Sequence, residues 1–211
     1  AGETVDQLIA RAKALNHERV VLVAPGGVNQ NGEAADGLGV AAAVAGAIAG
    51  ESDPAVPLGG AVLTGLYGLS GRYSDGEMDR LILGGVTPVE SLAGTIGVVR
   101  GVTTRTTTGE AADATWRDLT TIRIVDDVIP TLRRALRTKF QRAKNTAQSR
   151  GAIRSQVVLE LENKLAREII TGYGEVSVEA DADNPTVCLV DFSFTVAHGL
   201  NQIWLSAHIT V

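Results

Sequence analysis

A single cysteine, Cys188, excludes a disulfide within the chain and any zinc site built from several cysteines. That usage fits a protein assembled in a reducing compartment. Histidine is almost as scarce. His17, His198 and His208 fall at spacings that suit no metal, in a polar stretch, a turn and the polar side of the last predicted strand. Aromatic residues make up only 4% of the chain, so Ala, Val, Leu and Ile must fill the core, which suits regular helix–sheet packing. No apolar run is long enough to span a bilayer. The most apolar, Leu38 to Ala49, falls far short of the roughly 20 residues required and reads as a buried core helix, so no membrane insertion is expected. Residues 1–16 mix acids and bases throughout, unlike a secretory signal. Excess positive charge is missing too. The formal net charge of −5 argues against nucleic acid as the main partner, because phosphate binding needs a cationic footprint.

What is present is 211 residues, 45% of them hydrophobic, enough for one large domain or two small ones. Residues 3–15 read as an amphipathic helix through Val5, Leu8, Ile9, Ala12 and Leu15. Arg19 to Ala24 reads as a buried strand stopped by Pro25-Gly26-Gly27. A Gly-rich loop over 26–37 leads to an Ala-rich helix, Leu38 to Gly50, whose Gly46 and Gly50 suggest close packing on a flat neighbour. After a Pro/Gly linker come a strand at 61–66, a helix capped by Asp75 and running to Leu83, and strands near 86–92 and 95–104. This alternation indicates an α/β layer. Residues 105–114 suggest an exposed loop. Leu119 to Val125 alternates like a strand. Asp126 then suits the N-cap of a helix to Phe140 that buries Ile129, Leu132 and Leu136 and holds Pro130 in its tolerant first turn. A second long helix is predicted over 152–170, with Glu160 and Lys164 as an i,i+4 pair. Strands follow at 174–181, 185–197 and 201–211. The fold class is therefore α+β: a mixed α/β layer, then two long helices and a terminal antiparallel sheet.

Chemistry is hard to assemble from these residues. Gly37-Leu38-Gly39-Val40-Ala41-Ala42 matches a dinucleotide fingerprint and opens a helix. The fingerprint requires a strand directly before the glycines and an acid about 20 residues on, and both are missing. A nucleotide-binding α/β enzyme using the Gly37–Ala42 turn is the alternative reading. No nucleophile elbow exists, and Cys188 lies on an apolar strand face where a buried thiol is inert. Asp126 and Asp127 are explained by capping and dipole stabilisation. Arg133, Arg134, Arg137 and Lys139 form a basic face in an otherwise acidic chain. Without interleaved aromatics it reads as a subunit contact or a solvated face. The final strand alternates strictly up to Val211. Such a strand pairs within its own chain or adds to a neighbour's sheet.

Several strings carry a family resemblance. They are Gly101-Val102-Thr103-Thr104-Arg105-Thr106-Thr107-Thr108, Trp116-Arg117-Asp118-Leu119-Thr120-Thr121-Ile122, Val125-Asp126-Asp127-Val128-Ile129-Pro130, Lys144-Asn145-Thr146-Ala147-Gln148, Arg150-Gly151-Ala152-Ile153, and Phe192 through Asn201. From about residue 61 onward the chain resembles the C-terminal half of contractile tail sheath proteins of the type found in Mu-like phages and prophages. Residues 1–60 resemble that family's central domain more loosely, through Val20 to Gly26.

The resemblance implies a structural subunit with no cofactor and no enzymatic activity. Its partners would be copies of itself in stacked six-fold rings, a tail tube protein, and baseplate and tail terminator proteins. The particle would be a virion tail assembled in the host bacterial cytoplasm, or a related contractile particle such as a bacteriocin. On this mapping residues 1–92 belong to the central α/β domain and 93–211 to the inner sheath domain. The C-terminal arm covers about 201–211, with Asn201, Gln202, Ile203, Trp204, Leu205, Ala207, Ile209 and Val211 as strand-exchange residues. The basic face at Arg133, Arg134, Arg137 and Lys139 is expected to meet the tube or another subunit. Family members extend further at the N-terminus, so the N-terminal arm is expected to be missing from this chain.

Overall fold

The computed structural model describes residues 3–201 and Ser206. The described chain divides into two compact units, residues 3–52, 56–122 and 199–201 forming the first and residues 53–55 and 123–198 the second.

The first unit holds a mixed four-stranded sheet. Helix α1 (Val5–Leu15) opens with a capping box. The Thr4 hydroxyl accepts from the Gln7 amide, and the Gln7 side chain accepts from the Thr4 amide. Strand β1 (Leu22–Ala24), helix α2 (Leu38–Gly50), strand β2 (Val62–Leu63), helix α3 (Asp75–Leu83), and strands β3 (Val86–Leu92) and β4 (Thr95–Val98) follow. The sheet order is β1-β3-β4-β2, with β1 parallel to β3 and the other pairs antiparallel. A parallel pair needs a crossover, and the segment bearing α2 and α3 supplies it. Val86, Thr87, Pro88 and Val89 are buried in succession. Successive strand side chains point to opposite faces, so β3 is covered on both. Val5, Leu8 and Ala12 of α1 meet Leu81 of α3, with Ala24 and Val86 of the sheet beneath them.

Three local expectations change here. Ser74, not Asp75, precedes the first residue of α3, and the Glu77 carboxylate accepts from both its amide and its hydroxyl. Helix α2 buries only Val40 and Val44 fully, and a Cβ on Gly46 or Gly50 would meet nothing within 4 Å among the described residues, so those glycines are not at a packed face. The exposed stretch 105–114 contains a tight hairpin, β5 (Thr107–Thr108) paired with β6 (Ala111–Ala112).

The larger correction concerns Leu119–Val125. This segment is not a strand but the opening of helix α4 (Leu119–Phe140). Its β-branched residues and short alternation point to a strand. Leu119, Thr120, Thr121 and Ile122 are all buried, however, and Ile124, Val128 and Leu132 repeat at the four-residue spacing of one helix face. Tertiary burial overrides local propensity. Asp126 therefore lies within the helix and not at its N-cap, and Pro130 lies in the helix interior, where it removes one intrahelical hydrogen bond.

In the second unit α4 packs with helix α5 (Ala147–Ala166), which starts five residues earlier than the predicted 152 and ends at 166. Thr146 caps it by accepting from the Ser149 amide at 3.2 Å. Ile124, Val128 and Leu132 of α4 and Val157 and Leu161 of α5 form the core with Ile169, Ile170 and Val176. Glu160 and Lys164 do not pair as predicted. Glu160 accepts from the Gln156 carboxamide at 2.7 Å, and Lys164 reaches across to Asp127 at 2.5 Å. Strand β7 (Ile170–Tyr173) is antiparallel to β10 (Phe194–Val196), and β8 (Ser177–Ala180) is antiparallel to β9 (Cys188–Asp191). The predicted strand 185–197 is thus split at Phe192–Ser193, its halves serving different sheets. The shared apolar face survives the split: Val190, Phe192, Phe194 and Val196 all pack on the core. The predicted strand 201–211 lies outside the described residues except for Asn201 and Ser206, neither of which is in a strand. Mixed helix and sheet with terminal antiparallel pairing, as the sequence implies, is what the chain forms.

Candidate assembly interface

The strings singled out in the sequence turn out to be joints. In Gly101–Thr108 the threonines replace missing backbone partners. The fully buried Thr87 hydroxyl donates to the Val102 carbonyl at 2.9 Å and accepts the Val102 amide at 3.0 Å. Thr103 donates through its hydroxyl to the Trp116 carbonyl, and Thr104 exchanges two bonds with the His17 backbone. Buried backbone groups need such partners, so these positions call for a short side chain with a donor and an acceptor. Asn16, left-handed at φ 37°, ends α1 and accepts the amides of Thr106 and Thr107. In the second unit the Asn145 carboxamide donates to the carbonyls of Pro185 and Val187, tying the α4–α5 connection to the β8–β9 hairpin loop.

Arg105 organises the polar side of the first unit. Its guanidinium donates to Glu18 at 2.8 Å and to the Thr108 hydroxyl at 3.0 Å, and lies over the Trp116 ring at 5.9 Å. The hydrogen bond from Arg105 holds the Glu18 carboxyl below its ordinary range. The Thr108 hydroxyl lowers Asp113 likewise. A carboxyl lowered in the folded state stabilises it above the unfolded pKa, and that contribution is lost as pH falls through the folded pKa. Stability is therefore expected to drop under acid. In Arg105→Met the drop should be shallower, because Glu18 then titrates nearer its unfolded value. Urea midpoints at about pH 7 and about pH 3 check this. An unchanged pH dependence would remove Glu18 from the account.

The predicted site residues fare unevenly. Arg133, Arg134 and Arg137 are exposed on the C-terminal half of α4, and none has an ion-pair partner among the described residues. Lys139 differs, since its ammonium is hydrogen-bonded to the Gln156 carboxamide at 2.5 Å. Of the arm residues only Asn201 is described, and its carboxamide donates to Asp118 at 3.3 Å. Gln202, Ile203, Trp204, Leu205, Ala207, Ile209 and Val211 lie outside the described residues. Both small sheets of the second unit have only two strands, so each presents outer edges with no paired strand among the described residues. The glycine turn at Gly37 does not follow β1 directly, because the Pro25–Asp36 segment intervenes and bridges Val28 to Ala34. A cleft of ≈ 540 Å³ lies beside it, lined by Arg11, Pro25, Gly26, Arg72 and Tyr73 among others, with Arg11 already paired to Glu3.

Residues 111–210 match the family model of the phage tail sheath C-terminal domain. Across 98% of its length the chain is 28% identical to the tail sheath protein of Bacillus phage SP01. The chain is similar to tail sheath proteins. Solved structures share the fold. The sheath tail protein of Listeria innocua matches with a TM-score of 0.75 over 86% of this chain, at 18% identity. That of Desulfitobacterium hafniense gives 0.68 over 87%, at 17% identity. A chain of the anti-feeding prophage baseplate gives 0.71 over 98%, at 16% identity. The chain spans 36% of the Bacillus phage protein and 44%, 47% and 65% of the three solved chains respectively. None of these comparisons specifies the Mu-like type. Sequence reasoning missed Asp118, Asn16 and Asn145 as polar joints of the fold, because their partners stand far along the chain.

Proposed function

We propose that the chain is the C-terminal part of a contractile sheath subunit, a mechanical element and not an enzyme. It polymerises with copies of itself as stacked six-fold rings around a tail tube, between a baseplate and a tail terminator. Contraction, a release from a metastable packing into one of lower energy, drives the tube through the host envelope. The subunit acts in the virion and is assembled in the bacterial cytoplasm. One observation carries this reading: the match to the sheath family model covers the segment whose two-stranded sheets have no further strand on their outer edges among the described residues. A two-stranded sheet is marginal on its own, and an open edge accepts a further strand through main-chain hydrogen bonds. A neighbour's residues 202–211 would supply that strand. The basic face at Arg133, Arg134 and Arg137 is assigned to the tube or to an adjacent subunit.

Removing residues 202–211 from a full sheath polypeptide that carries this sequence is expected to leave circular dichroism and cooperative melting unchanged. Striated tubes in negative-stain electron microscopy should disappear. Tubes forming as before without those residues would end the strand-exchange reading.

A further inference from the structure

We propose that Asp118 is the anchor of the C-terminal segment, fixing the chain to the first unit at Asn201. The anchor has two parts. At Gly199 the backbone comes so close to Pro57 that a Cβ would lie 2.8 Å from the proline Cβ and 2.9 Å from its Cγ, so only glycine fits. Two residues on, the Asn201 carboxamide donates to Asp118 Oδ2 at 3.3 Å. Between them Leu200 is 75% exposed, so burial of an apolar side chain does not hold this stretch in place.

Asp118 is built for the task. It sits in the Val102↔Asp118 bridge at the root of α4, and its other carboxylate oxygen accepts the Thr120 hydroxyl at 3.2 Å. Arg100 reaches the same Oδ2 at 3.5 Å, with side-chain exposures of 25% for Arg100 and 15% for Asp118. The Arg100 Nε is buried without an acceptor, so the guanidinium has reason to stay on this carboxylate. The carboxylate is thus held from three sides, and Asn201 binds a rigid acceptor.

The inference rests on the strand-donation reading for its purpose. Strand β10 ends at Val196. The last hold before the anchor is the Ala197 amide on the Ile169 carbonyl at 3.3 Å. With the anchor open, residues 198–201 become a free tether ahead of the donated segment, which loses its direction. A pre-organised exit reduces the ordering that docking requires.

The test is spin-label mobility on the 211-residue chain, with a nitroxide on Leu200→Cys in a Cys188→Ala background. The parent is expected to give a restricted spectrum. Asn201→Ala should convert most of the signal to a fast component, with the melting temperature unchanged. The swap Asn201→Asp with Asp118→Asn keeps the hydrogen bond with donor and acceptor exchanged, and should restore restriction. Equal mobility in parent and Asn201→Ala would overturn the anchor, as would a swap no more restricted than Asn201→Ala. Tubes that persist without residues 202–211 would instead remove strand donation and leave the anchor standing.

Discussion

A Gly85→Val protein is expected to lose about 2–5 kcal/mol of stability, a large share of the 5–15 kcal/mol typical of a domain. Gly85 links α3 to β3 at φ +81°, a conformation that costs an L side chain about 1–2 kcal/mol. Space is short as well. A Cβ there would lie 2.9 Å from Thr106 Cγ2, 3.0 Å from the Thr103 carbonyl and 3.1 Å from Thr104 Cα. Two of those three are backbone, held by the threonine bonds described above, and cannot turn aside. Overpacking such a site adds about 1–3 kcal/mol. The neighbouring Gly84 provides the control. Its φ is −84°, so an L side chain carries no left-handed penalty there, although a Cβ would lie 2.6 Å from Ile9 Cγ1, 2.9 Å from Ile9 Cγ2 and 3.1 Å from the Arg80 carbonyl. Gly84→Ala should therefore show the crowding cost without the backbone cost, and lose less than Gly85→Val. Urea unfolding with an unchanged slope measures both. Equal losses would mean that the 103–106 backbone yields, contrary to its hydrogen bonding.

The elements legible in the sequence are those whose signal is local. Helix α1 is visible from its apolar stripe, and Gly84-Gly85 marks the end of α3 before a strand begins. Residues 119–125 mislead because their signal is tertiary. Leu119 to Ile122 are enclosed on all sides, so neither period can be read from them, and only Ile124, Val128 and Leu132 declare a helix. Misplacing that start also misplaces Asp126 and Pro130. The split of 185–197 into β9 and β10 is similarly hidden. Alternation of Val190, Phe192, Phe194 and Val196 continues through the break, because both halves face the same core.

The site was legible as strings before it was legible as geometry. Thr103 and Thr104 are conspicuous in a run of threonines, but nothing local says that the first bonds the Trp116 carbonyl and the second the His17 backbone. The basic face of α4 was visible because charge needs no partner to be seen, and Arg133, Arg134 and Arg137 are exposed as expected. Asp118 was invisible because its partners stand 18 positions before it, at Arg100, and 83 after it, at Asn201. Long-range polar pairs of this kind have no period.

Removing Asp127 is expected to destabilise the second unit by about 3–5 kcal/mol in Asp127→Ala, and removing Lys164 by less. The asymmetry follows from exposure. The Lys164 side chain is 8% exposed and that of Asp127 31%. Without Asp127 an ammonium stays among apolar neighbours with no counter-charge, relieved only as far as its stem can bend toward water. Without Lys164 the carboxylate is already partly hydrated, so the loss is mainly the stem's packing. Replacing both at once, Asp127→Leu with Lys164→Met, exchanges an ion pair for apolar volume and should come within about 1 kcal/mol of the parent, since buried pairs hold little net advantage over hydrophobic replacements. A double-mutant cycle by urea unfolding reads the coupling directly. Single losses that are small and simply add would mean that the pair is solvated and that the apolar contacts of Ile124, Val128, Leu132, Val157 and Leu161 carry the packing of α4 on α5.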